Sequence, residues 1–507
     1  MAGKAKRIAA IDVGTNSIHM IVAEAKSRGY RVVDREKEIV QLGLSSLDGQ
    51  PLTDDAMERG VQTITHMVEI ARRWNADEVI AVATSAVREA PNKRDFLRRV
   101  RDSAGIKVSV ISGEEEADYI FKAIRSAVDI GSSTALCIDI GGGSAEVIVG
   151  TAEEIYFTAS EPLGSLRLAQ RFALTDRPEH TAIVDCRRWV VERAARIRKR
   201  IRRIGVDMAI GTSGTILALA NICSDREPSA NGLLTLDHAR LASVIPALAA
   251  MTAEERKAKF NVDDKRAGTI VAGAIVLEGL MSVLDIPSLL ACPVAIREGI
   301  VESRIAASGR QAQTGGSVRR KSVMRLAERT DCDMRHASHV ARLATRIFDQ
   351  TEKLHRLTGE ARELLEYAAF LHESGAHISD RGHHKHSYYL IRHADLRGFT
   401  DQQLLIIANV ARYYRKAVPD IDDPNFSELT EEQQETVSKL AAILRVAEGL
   451  DRGHRQRVRD VAVSNGSKRL RFIARTRADA SVEIESAEKR AKYFSRLFDT
   501  RVKFEVL

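Results

Sequence analysis

Aromatic residues and cysteines are both scarce in this chain of 507 residues. Aromatic side chains make up only 5% of the sequence, which argues against a nucleic-acid surface built from base-stacking rings. The five cysteines are odd in number and show no CxxC spacing, so we expect neither a disulfide framework nor a structural zinc site. These absences predict a protein of the reducing cytoplasm for which nucleic acid is not the principal partner.

Long apolar runs are missing as well. The first apolar stretch follows a basic start and soon reaches Asp12, so it is unsuited to be the apolar region of a signal peptide. The most apolar later segment, Ala267 to Leu284, contains Glu278 and is too short and too charged to cross a bilayer. We therefore expect no membrane association.

The composition that remains is typical of a soluble globular protein, with 44% hydrophobic and 29% charged residues. At about 150 residues per domain, the length predicts three or four domains. A formal net charge of +8 gives a modest preference for anionic partners.

Two stretches in the first half repeat one pattern. Residues 11–22 and 138–149 both read I-D-x-G-x-x-S-x-x-x-I-V. Each is an apolar strand that ends in Asp, a glycine-containing turn and a second apolar strand, which predicts a β-hairpin. Because two matched hairpins are hard to obtain by chance, the repeat predicts two related lobes.

The alternation of strands and helices predicts the organisation of the whole chain. Two α/β lobes are expected at 1–128 and 129–307, and a Gly-, Gln- and Ser-rich linker at 308–317. A mostly helical domain is expected at 318–455. A small α+β module should close the chain at 456–507, with short strands at 459–463, 469–474 and 480–484, a helix at 487–497 and a last strand from Val502.

Three glycine-containing loops are candidate phosphate sites, because a tight turn after a strand directs successive N–H groups into one concavity. A single loop of this kind is more often an ordinary turn, but two matched loops and a third favour phosphate binding. The Asp that closes each repeated strand, Asp12 or Asp139, can hold a divalent cation. The loop residues are Gly14, Thr15, Asn16 and Ser17, then Gly141, Gly142, Gly143 and Ser144, and then Gly211, Thr212, Ser213 and Gly214.

Acidic and basic candidates lie near these loops. Ser112 is a plausible helix N-cap and the run Glu114–Glu116 fills the first turn, where the helix dipole alone favours acidic residues. Spacing does not say which of the three carboxylates faces a cleft. Arg88 follows a buried strand, where it is either a phosphate clamp or an ordinary surface charge.

Taken together, these motifs resemble one family. Six stretches occur in the order found in the exopolyphosphatase/guanosine pentaphosphate phosphohydrolase (Ppx/GppA) family of the actin and sugar-kinase superfamily; they are residues 12–17, 83–88, 111–117, 139–146, 211–214 and 296–299. The resemblance continues through His383–Ser387 and covers nearly the whole long form of the family. It implies an α/β fold of two actin-like (ribonuclease H-like) lobes, then an all-α HD-like domain and a small α+β module.

The resemblance also implies roles for single residues. Glu116 corresponds to the family's general base, with Arg88 beside it in catalysis, and Asp12, Asp139 and Glu146 would hold or orient Mg²⁺. Such chemistry, the attack of an activated water on a terminal phosphate, needs no Ser–His or Cys–His nucleophile. The residues expected to hold the terminal phosphates are Ser17, Arg88, Gly141, Gly142, Gly143 and Ser144.

The implied activity is that of a homodimeric exopolyphosphatase, which removes terminal phosphate from inorganic polyphosphate. Guanosine pentaphosphate ends in the same phosphoanhydride, so the catalytic loops do not separate the two substrates. The long C-terminal half and its basic groups favour the polymer. A non-catalytic regulator that binds polyphosphate or nucleotide is the rival hypothesis, and the intact loops and Glu116 count against it.

The helical region resembles an HD-type phosphohydrolase domain, whose metal ligands would be His339, His372 and Asp451. The expected His-Asp pair reads His372–Glu373 here, which would shift the ligand geometry. We therefore expect an inherited scaffold without a metal. The run 383–386 is either another metal site or a basic surface, and the surface is the favoured interpretation. A helix with nine basic residues between 187 and 203 suggests an anionic partner.

Overall fold

The computed structural model describes residues 6–26, 29–44, 46–224, 233–307, 318–357, 359–466, 469–476 and 478–507. The described residues up to 307 form one compact unit and those from 318 onward form a second. Each unit has its own hydrophobic core. The predicted linker at 308–317 lies outside the described residues.

The first lobe of the first unit is a five-stranded sheet in the order β3-β2-β1-β4-β5. Alternate residues of β1 enter different clusters: Ile8 and Ala10 pack with α4, whereas Ala9, Ile11 and Val13 pack with α1 and α3, as the two-residue period of a strand requires. Its elements are β1 (Arg7–Val13), β2 (Ile18–Ala25), β3 (Tyr30–Glu38), α1 (Asp54–Arg73), β4 (Glu78–Ala83), α2 (Ser85–Glu89), α3 (Lys93–Ala104), β5 (Val108–Val110) and α4 (Gly113–Ala127).

The second lobe is a six-stranded sheet in the order β10-β11-β9-β6-β7-β8. Its elements are β6 (Ala135–Ile140), β7 (Ala145–Gly150), β8 (Ile155–Glu161), α5 (Ser165–Arg171), α6 (His180–Ile204), β9 (Met208–Thr212), α7 (Gly214–Cys223), β10 (Leu234–Asp237), α8 (His238–Ala249), α9 (Ala253–Phe260), α10 (Asp264–Ala267), α11 (Ile270–Val283), β11 (Ser288–Ala291) and α12 (Ile296–Ala307).

The two sheets share one topology. In each lobe an antiparallel hairpin is extended by a third strand on one side and by parallel strands on the other, giving β3-β2-β1-β4-β5 and β8-β7-β6-β9-β11. This confirms the two related lobes that the sequence repeat predicts. The sequence pattern did not predict β3 and β8, the third strand of each set. Because the topology repeats, Asp12 and Asp139 hold equivalent places at the ends of β1 and β6.

Helices α4 and α12 share a cluster with residues from both sheets, including Ile8 of β1 and Cys137 of β6. The contact between the two helices is very close at Gly299, where an added Cβ would lie 1.8 Å from the carbonyl oxygen of Tyr119. Only glycine fits there.

The apolar segment that contains α11 packs against α5, α6, α7 and α8. Among the described helices, none is both long and apolar enough to cross a bilayer.

The second unit is helical as far as Gly449 and then closes with a three-stranded sheet in the order β12-β13-β14. Helical and strand residues, for example Leu444 and Phe472, share one core. The elements are α13 (Val318–Arg329), α14 (Met334–Gln350), α15 (Glu352–His355), α16 (Gly359–Leu371), a 3-10 helix (Ser374–His377), α17 (His383–His393), α18 (Asp401–Arg412), α19 (Pro424–Ser427), α20 (Glu431–Gly449), β12 (Val458–Gly466), β13 (Arg469–Thr476), α21 (Ser481–Leu497) and β14 (Arg501–Val506).

The strand expected at 480–484 is wrong, because α21 begins at Ser481. Asp479 holds the start of the helix by accepting hydrogen bonds from the backbone N–H of Ser481 (3.0 Å) and from its hydroxyl (3.2 Å). A five-residue alternation is too short to separate a strand from one turn of helix.

The basic surface expected at 383–386 is also wrong in part, since His383 and His384 are buried.

Replacing Gly299 by alanine should destabilise the first unit, because the new methyl group must displace the backbone of α4. Overpacking of this kind costs about 1–3 kcal/mol or more. Thermal unfolding followed by circular dichroism should show a lower melting temperature. The matched control is Gly359→Ala, where an added Cβ meets open space and a neutral or slightly stabilising effect is expected. Equal melting temperatures for Gly299→Ala and the wild type would contradict this account of the helix contact.

Candidate active site

The two repeated hairpins close with the same backbone hydrogen bond. The N–H of Gly14 donates to the carbonyl of Ser17 (3.1 Å), and the N–H of Gly141 donates to the carbonyl of Ser144 (3.0 Å). A Cβ on Gly14 would lie 2.8 Å from the oxygen of Ser17, so the turn requires glycine. The repeat in the sequence is therefore a repeat of local geometry.

The first two predicted phosphate loops face each other. A Cβ on Gly142 would lie 3.1 Å from Cβ of Thr15, and one on Gly143 would lie 2.8 Å from the Thr15 hydroxyl and 2.5 Å from the hydroxyl of Ser85. Larger side chains at these glycines would separate the loops. The fold thus brings together residues that are more than a hundred positions apart in the chain.

The carbonyl groups of both loops accept hydrogen bonds from elsewhere in the unit. Within the described residues, the N–H groups of Thr15, Asn16, Gly142 and Gly143 donate to no protein acceptor. Unsatisfied amides of this kind form a nest for an anion. The pairs that satisfy the carbonyls are Gly43 to Thr15 (2.9 Å), Gln41 to Asn16 (2.8 Å), Ser165 to Gly141 (2.9 Å) and Leu166 to Gly142 (3.0 Å).

Carboxylates gather beside these amides. Oδ1 of Asp12, Oδ1 of Asp139 and Oε2 of Glu146 are buried and lack a hydrogen-bond partner among the described residues. Burial, and then the charge of nearby Glu116, raises the pKa of Asp12 to about 8 and that of Asp139 to about 7. The same two causes raise the pKa of Glu146 well above its usual value. Buried, unpaired carboxylate oxygens are the donor set that a hard divalent cation such as Mg²⁺ takes.

The register of the two hairpins explains how Glu146 enters the cluster. In the second lobe Asp139 lies directly across the strand pair from Glu146, and in the first lobe the equivalent partner of Asp12 is His19. Glu146 accepts a hydrogen bond from the hydroxyl of Ser160 (2.8 Å). Burial, followed by neighbouring Arg297, lowers the pKa of His19 to about 3, so that ring is neutral. At the position opposite the Asp, the second lobe therefore has a carboxylate and the first lobe has an imidazole.

Of the three glutamates at the start of α4, only Glu116 is buried. Glu115 forms a capping box with Ser112: the Ser112 hydroxyl accepts from the N–H of Glu115 (3.1 Å), and the Glu115 carboxylate accepts from the N–H of Ser112 (2.8 Å). Glu114 is exposed. The local geometry of the helix end thus directs a single carboxylate towards Asp12 and Asp139.

Arg88 donates a hydrogen bond from Nη1 to Oε2 of Glu116 (2.9 Å) and another to the carbonyl of Ile111 (2.9 Å). Burial raises the pKa of Glu116, while the guanidinium of Arg88 opposes that shift. Arg88 therefore fixes the direction of the carboxylate and favours its charged form. Arg88 is therefore not an unpaired surface charge. A phosphate bound to Arg88 would share its guanidinium with Glu116.

The third predicted loop lies beside the second, because Thr212 pairs with Asp139 in the parallel ladder. Ser213 has φ 90° and ψ 159°, a region that residues other than glycine rarely adopt and that is typical of functional sites. A Cβ on Gly214, the first residue of α7, would lie 2.3 Å from the guanidinium of Arg266. The three loops and Arg266 therefore belong to one site.

The sequence motifs did not predict two further arginines of the site, Arg167 and Arg297. Arg167 is almost fully buried and donates to the carbonyl of Gly143 (2.7 Å) and to the carboxylate of Glu89 (2.7 Å), so it ties the second loop to the first lobe. Arg297, inside a stretch that carried the family resemblance, is close enough to lower the pKa of Asp12 and Asp139 against the effect of burial. No local spacing signals either contact.

The HD-type ligands expected in the second unit do not all meet. Nε2 of His339 donates to the carbonyl of Val458 (2.8 Å), and its Nδ1 accepts from Arg342 (3.1 Å), so this ring has no free nitrogen. His336, one turn earlier on α14, lies beside Asp451 and Glu373 instead. The choice of His339 is therefore wrong, because spacing alone did not determine which face of α14 turns inward.

The basic helix α6 is more neutral than its sequence suggests. Five of its nine basic residues form ion pairs with carboxylates, and Arg198 and Arg202 share Asp285. Arg200 lies over the ring of Phe157. Four carboxylates thus pair with five of the nine cations, so ion pairs offset part of the repulsion within the helix, and the anionic partner that the charge run suggests stays a prediction.

Comparisons with known proteins identify the family. The model of the Ppx/GppA phosphatase family matches residues 21–307, and the model of domain III of the same family matches residues 318–486. The chain therefore belongs to the Ppx/GppA phosphatase family. It is a phosphoanhydride hydrolase, and enzymes of this family typically use divalent metals.

Two solved structures share the fold. An exopolyphosphatase from Cytophaga hutchinsonii is 27% identical, with a TM-score of 0.57, and the match covers 60% of this chain and 98% of that one. The Aquifex aeolicus member of the Ppx/GppA family is 25% identical, with a TM-score of 0.52, over 60% of this chain and 98% of its own. The share of this chain that is covered corresponds in size to the first unit.

The raised pKa values predict that the metal-free protein loses stability as pH rises. The folded state keeps protons on Asp12 and Asp139 up to about pH 8 and 7, whereas the unfolded chain loses them near pH 4. Stability should therefore fall between about pH 4 and 8. Melting curves in a chelating buffer should show a lower melting temperature at pH 8.5 than at pH 6, and added Mg²⁺ should reduce the difference.

Asp139→Asn removes one of the titrating groups while keeping its shape, so it should flatten this pH dependence. Glu114→Gln, at the exposed acid of the same region, is the control and should leave the wild-type profile. A melting temperature for metal-free Asp139→Asn that falls with pH as steeply as that of the wild type would refute the assignment.

Proposed function

We propose that the protein is an exopolyphosphatase, which hydrolyses the terminal phosphoanhydride of inorganic polyphosphate with Mg²⁺ held by Asp12, Asp139 and Glu146. The observation that carries the proposal is the buried carboxylate cluster, with oxygens that no protein group pairs, directly beside two loops of unsatisfied amides. A cluster of this kind is costly unless a cation is bound. The intact loops and the buried Glu116 beside this cluster count against a non-catalytic regulator.

The loops would bind the terminal phosphate. Amides of Asn16, Gly142 and Gly143 would donate to its oxygens, and Arg297 would add positive charge on the same side. The bound Mg²⁺ would neutralise phosphate oxygens and so make the phosphorus easier to attack. Positioning and charge neutralisation are most of what phosphoryl transfer requires.

Glu116 would act as the general base. A water oxygen attacks the terminal phosphorus in line with the anhydride oxygen, the P–O bond to the chain breaks, and a proton of the water passes to the Glu116 carboxylate. The shortened polyphosphate leaves as an oxyanion beside the loop amides. Arg88 is a positioning residue in this scheme, because its hydrogen bond fixes Oε2 of Glu116.

The cationic side chains near His19 favour an extended polyanion. After burial, the charges of Arg297, Lys37 and Arg266 lower the pKa of His19, whereas the charge of Asp263 raises it, so the charge near His19 is positive on balance. Lys37 and Arg266 both contact Asp263 (3.1 and 3.4 Å), which holds them in place. Guanosine pentaphosphate offers the same terminal bond and is the alternative substrate.

Phosphate release from long-chain polyphosphate, tripolyphosphate and guanosine pentaphosphate, measured side by side, tests the proposal. We expect the largest kcat/KM on long-chain polyphosphate and no release without a divalent cation. A larger kcat/KM on guanosine pentaphosphate would transfer the proposal to the nucleotide. No release from any of the three would reject it.

The base assignment predicts that Glu116→Gln lowers kcat by at least about 10²-fold, the usual contribution of a general base. Binding of polyphosphate, measured by direct titration, should change little, because the amide loops remain. Glu114→Gln is the matched control on the same turn and should keep wild-type turnover. Equal losses in the two variants, or a loss of affinity as large as the loss of rate, would refute the role of Glu116.

A further inference from the structure

Three imidazoles and two carboxylates meet in the second unit, apart from the active site. His336 lies on α14, His372 and Glu373 follow α16, and Asp451 and His454 follow α20. His336, His372 and Asp451 are buried to within 1% of full burial. Burying several such groups together is unfavourable, because each buried polar atom without a partner costs free energy.

His336 is oriented by a carboxylate. Its Nδ1 is 2.9 Å from Oδ2 of Asp451, so Nδ1 carries the proton and Nε2 carries the lone pair. That Nε2 is buried, has no hydrogen-bond partner and lies 4.0 Å from Oε2 of Glu373. A carboxylate behind an imidazole with a free second nitrogen is the arrangement that supports histidine ligands of metals.

His372 has the same character. Its Nδ1 is 2.7 Å from the carbonyl of Ala369, which fixes the proton on Nδ1 and the lone pair on Nε2. This Nε2 is also buried without a partner. The ring centre lies 5.4 Å from that of His336. The cluster thus contains two buried lone pairs that no donor in the described part of the chain satisfies.

Glu373 and His454 complete the group on its more accessible side. Nε2 of His454 is 3.8 Å from Oε1 of Glu373, and the His454 ring stacks on His336 with centres 3.6 Å apart. One ligand atom each from His336, Glu373 and His454 lies within 4.8 Å of the other two. Ligands about 2.0–2.2 Å from an ion in tetrahedral geometry lie about 3.3–3.6 Å apart. To bind, the group must therefore contract, and the His454 ring, which is parallel to that of His336, must turn so that its lone pair faces the same ion.

We propose that this cluster is a second metal site, which binds one first-row divalent transition metal through Nε2 of His336, Nε2 of His454 and the carboxylate of Glu373. Two imidazoles and one carboxylate select Zn²⁺, Fe²⁺ or Mn²⁺ rather than Mg²⁺. The HD resemblance implies His339, His372 and Asp451 as ligands, so this ligand set is different. Asp451 accepts a hydrogen bond from Nδ1 of His336 instead of binding the ion, and His454 takes the place of Asp451 as a ligand. His372 supplies a further nitrogen at the back of the site.

The competing explanation needs no ion. A protonated His336 between Asp451 and Glu373 would be an internal ion-pair network with a purely structural role. The two explanations differ in metal content, so the test measures it directly. Full-length protein is stripped with a chelator and titrated with Zn²⁺ and Mn²⁺, and bound metal is counted after dialysis against excess Mg²⁺, which occupies the active site.

We expect about one tightly bound transition metal per chain in the wild type. His454→Gln and Glu373→Gln, both at partly exposed positions, should lower the affinity by more than about tenfold, and Asp451→Asn should weaken it about 10–100-fold, as expected for a residue behind a ligand. Exposed His377→Gln is the matched control and should bind like the wild type. Asp139→Asn, which alters the active-site cluster, should also keep this metal, which separates the second site from the active site.

Thermal unfolding gives a second readout for variants that fold poorly. Zn²⁺ or Mn²⁺ should raise the melting temperature of the wild type and of His377→Gln but not that of His454→Gln. The proposal is overturned if the wild type binds no transition metal in the presence of Mg²⁺. It is also overturned if His454→Gln and Glu373→Gln keep wild-type affinity.

Discussion

The burial of negative charge between the two lobes is the constraint on which the rest of the active site depends. Burial raises the pKa of Asp12, Glu116, Asp139 and Glu146, and the charge of Glu116 raises the pKa of the other three further. Protein cations offset only part of this charge, chiefly Arg88 on Glu116. A bound cation would therefore stabilise the folded first unit, and the amide loops beside the carboxylates would bind a phosphate.

A repeated topology produces this arrangement. The same strand order in both lobes puts an Asp and a glycine turn at equivalent ends of β1 and β6, and α4 and α12 share a core cluster with both sheets. The repeat is also broken where function requires it. The residue opposite the Asp is His19 in one lobe and Glu146 in the other, so the carboxylates concentrate on one side.

Much of this could be predicted from local sequence. The hairpin repeat, the three loops and the alternation of strands and helices are short-range patterns, whereas Glu116 was assigned only through the family resemblance. Contacts between distant segments, such as Arg167 with Glu89, leave no local signal. Helix faces were also ambiguous: His336 and His339 are one turn apart on α14, and only tertiary packing determines which one meets Asp451.

The most direct test of the central claim is the number of protons released when Mg²⁺ binds. Titration calorimetry in two buffers of different ionisation enthalpy measures that number at pH 7. If the carboxyl groups of Asp12 and Asp139 are protonated to a large extent before the ion binds, Mg²⁺ should displace about one to two protons per ion, and fewer in Asp139→Asn. Binding without proton release, or release that is unchanged in Asp139→Asn, would contradict a buried carboxylate cluster as the metal site.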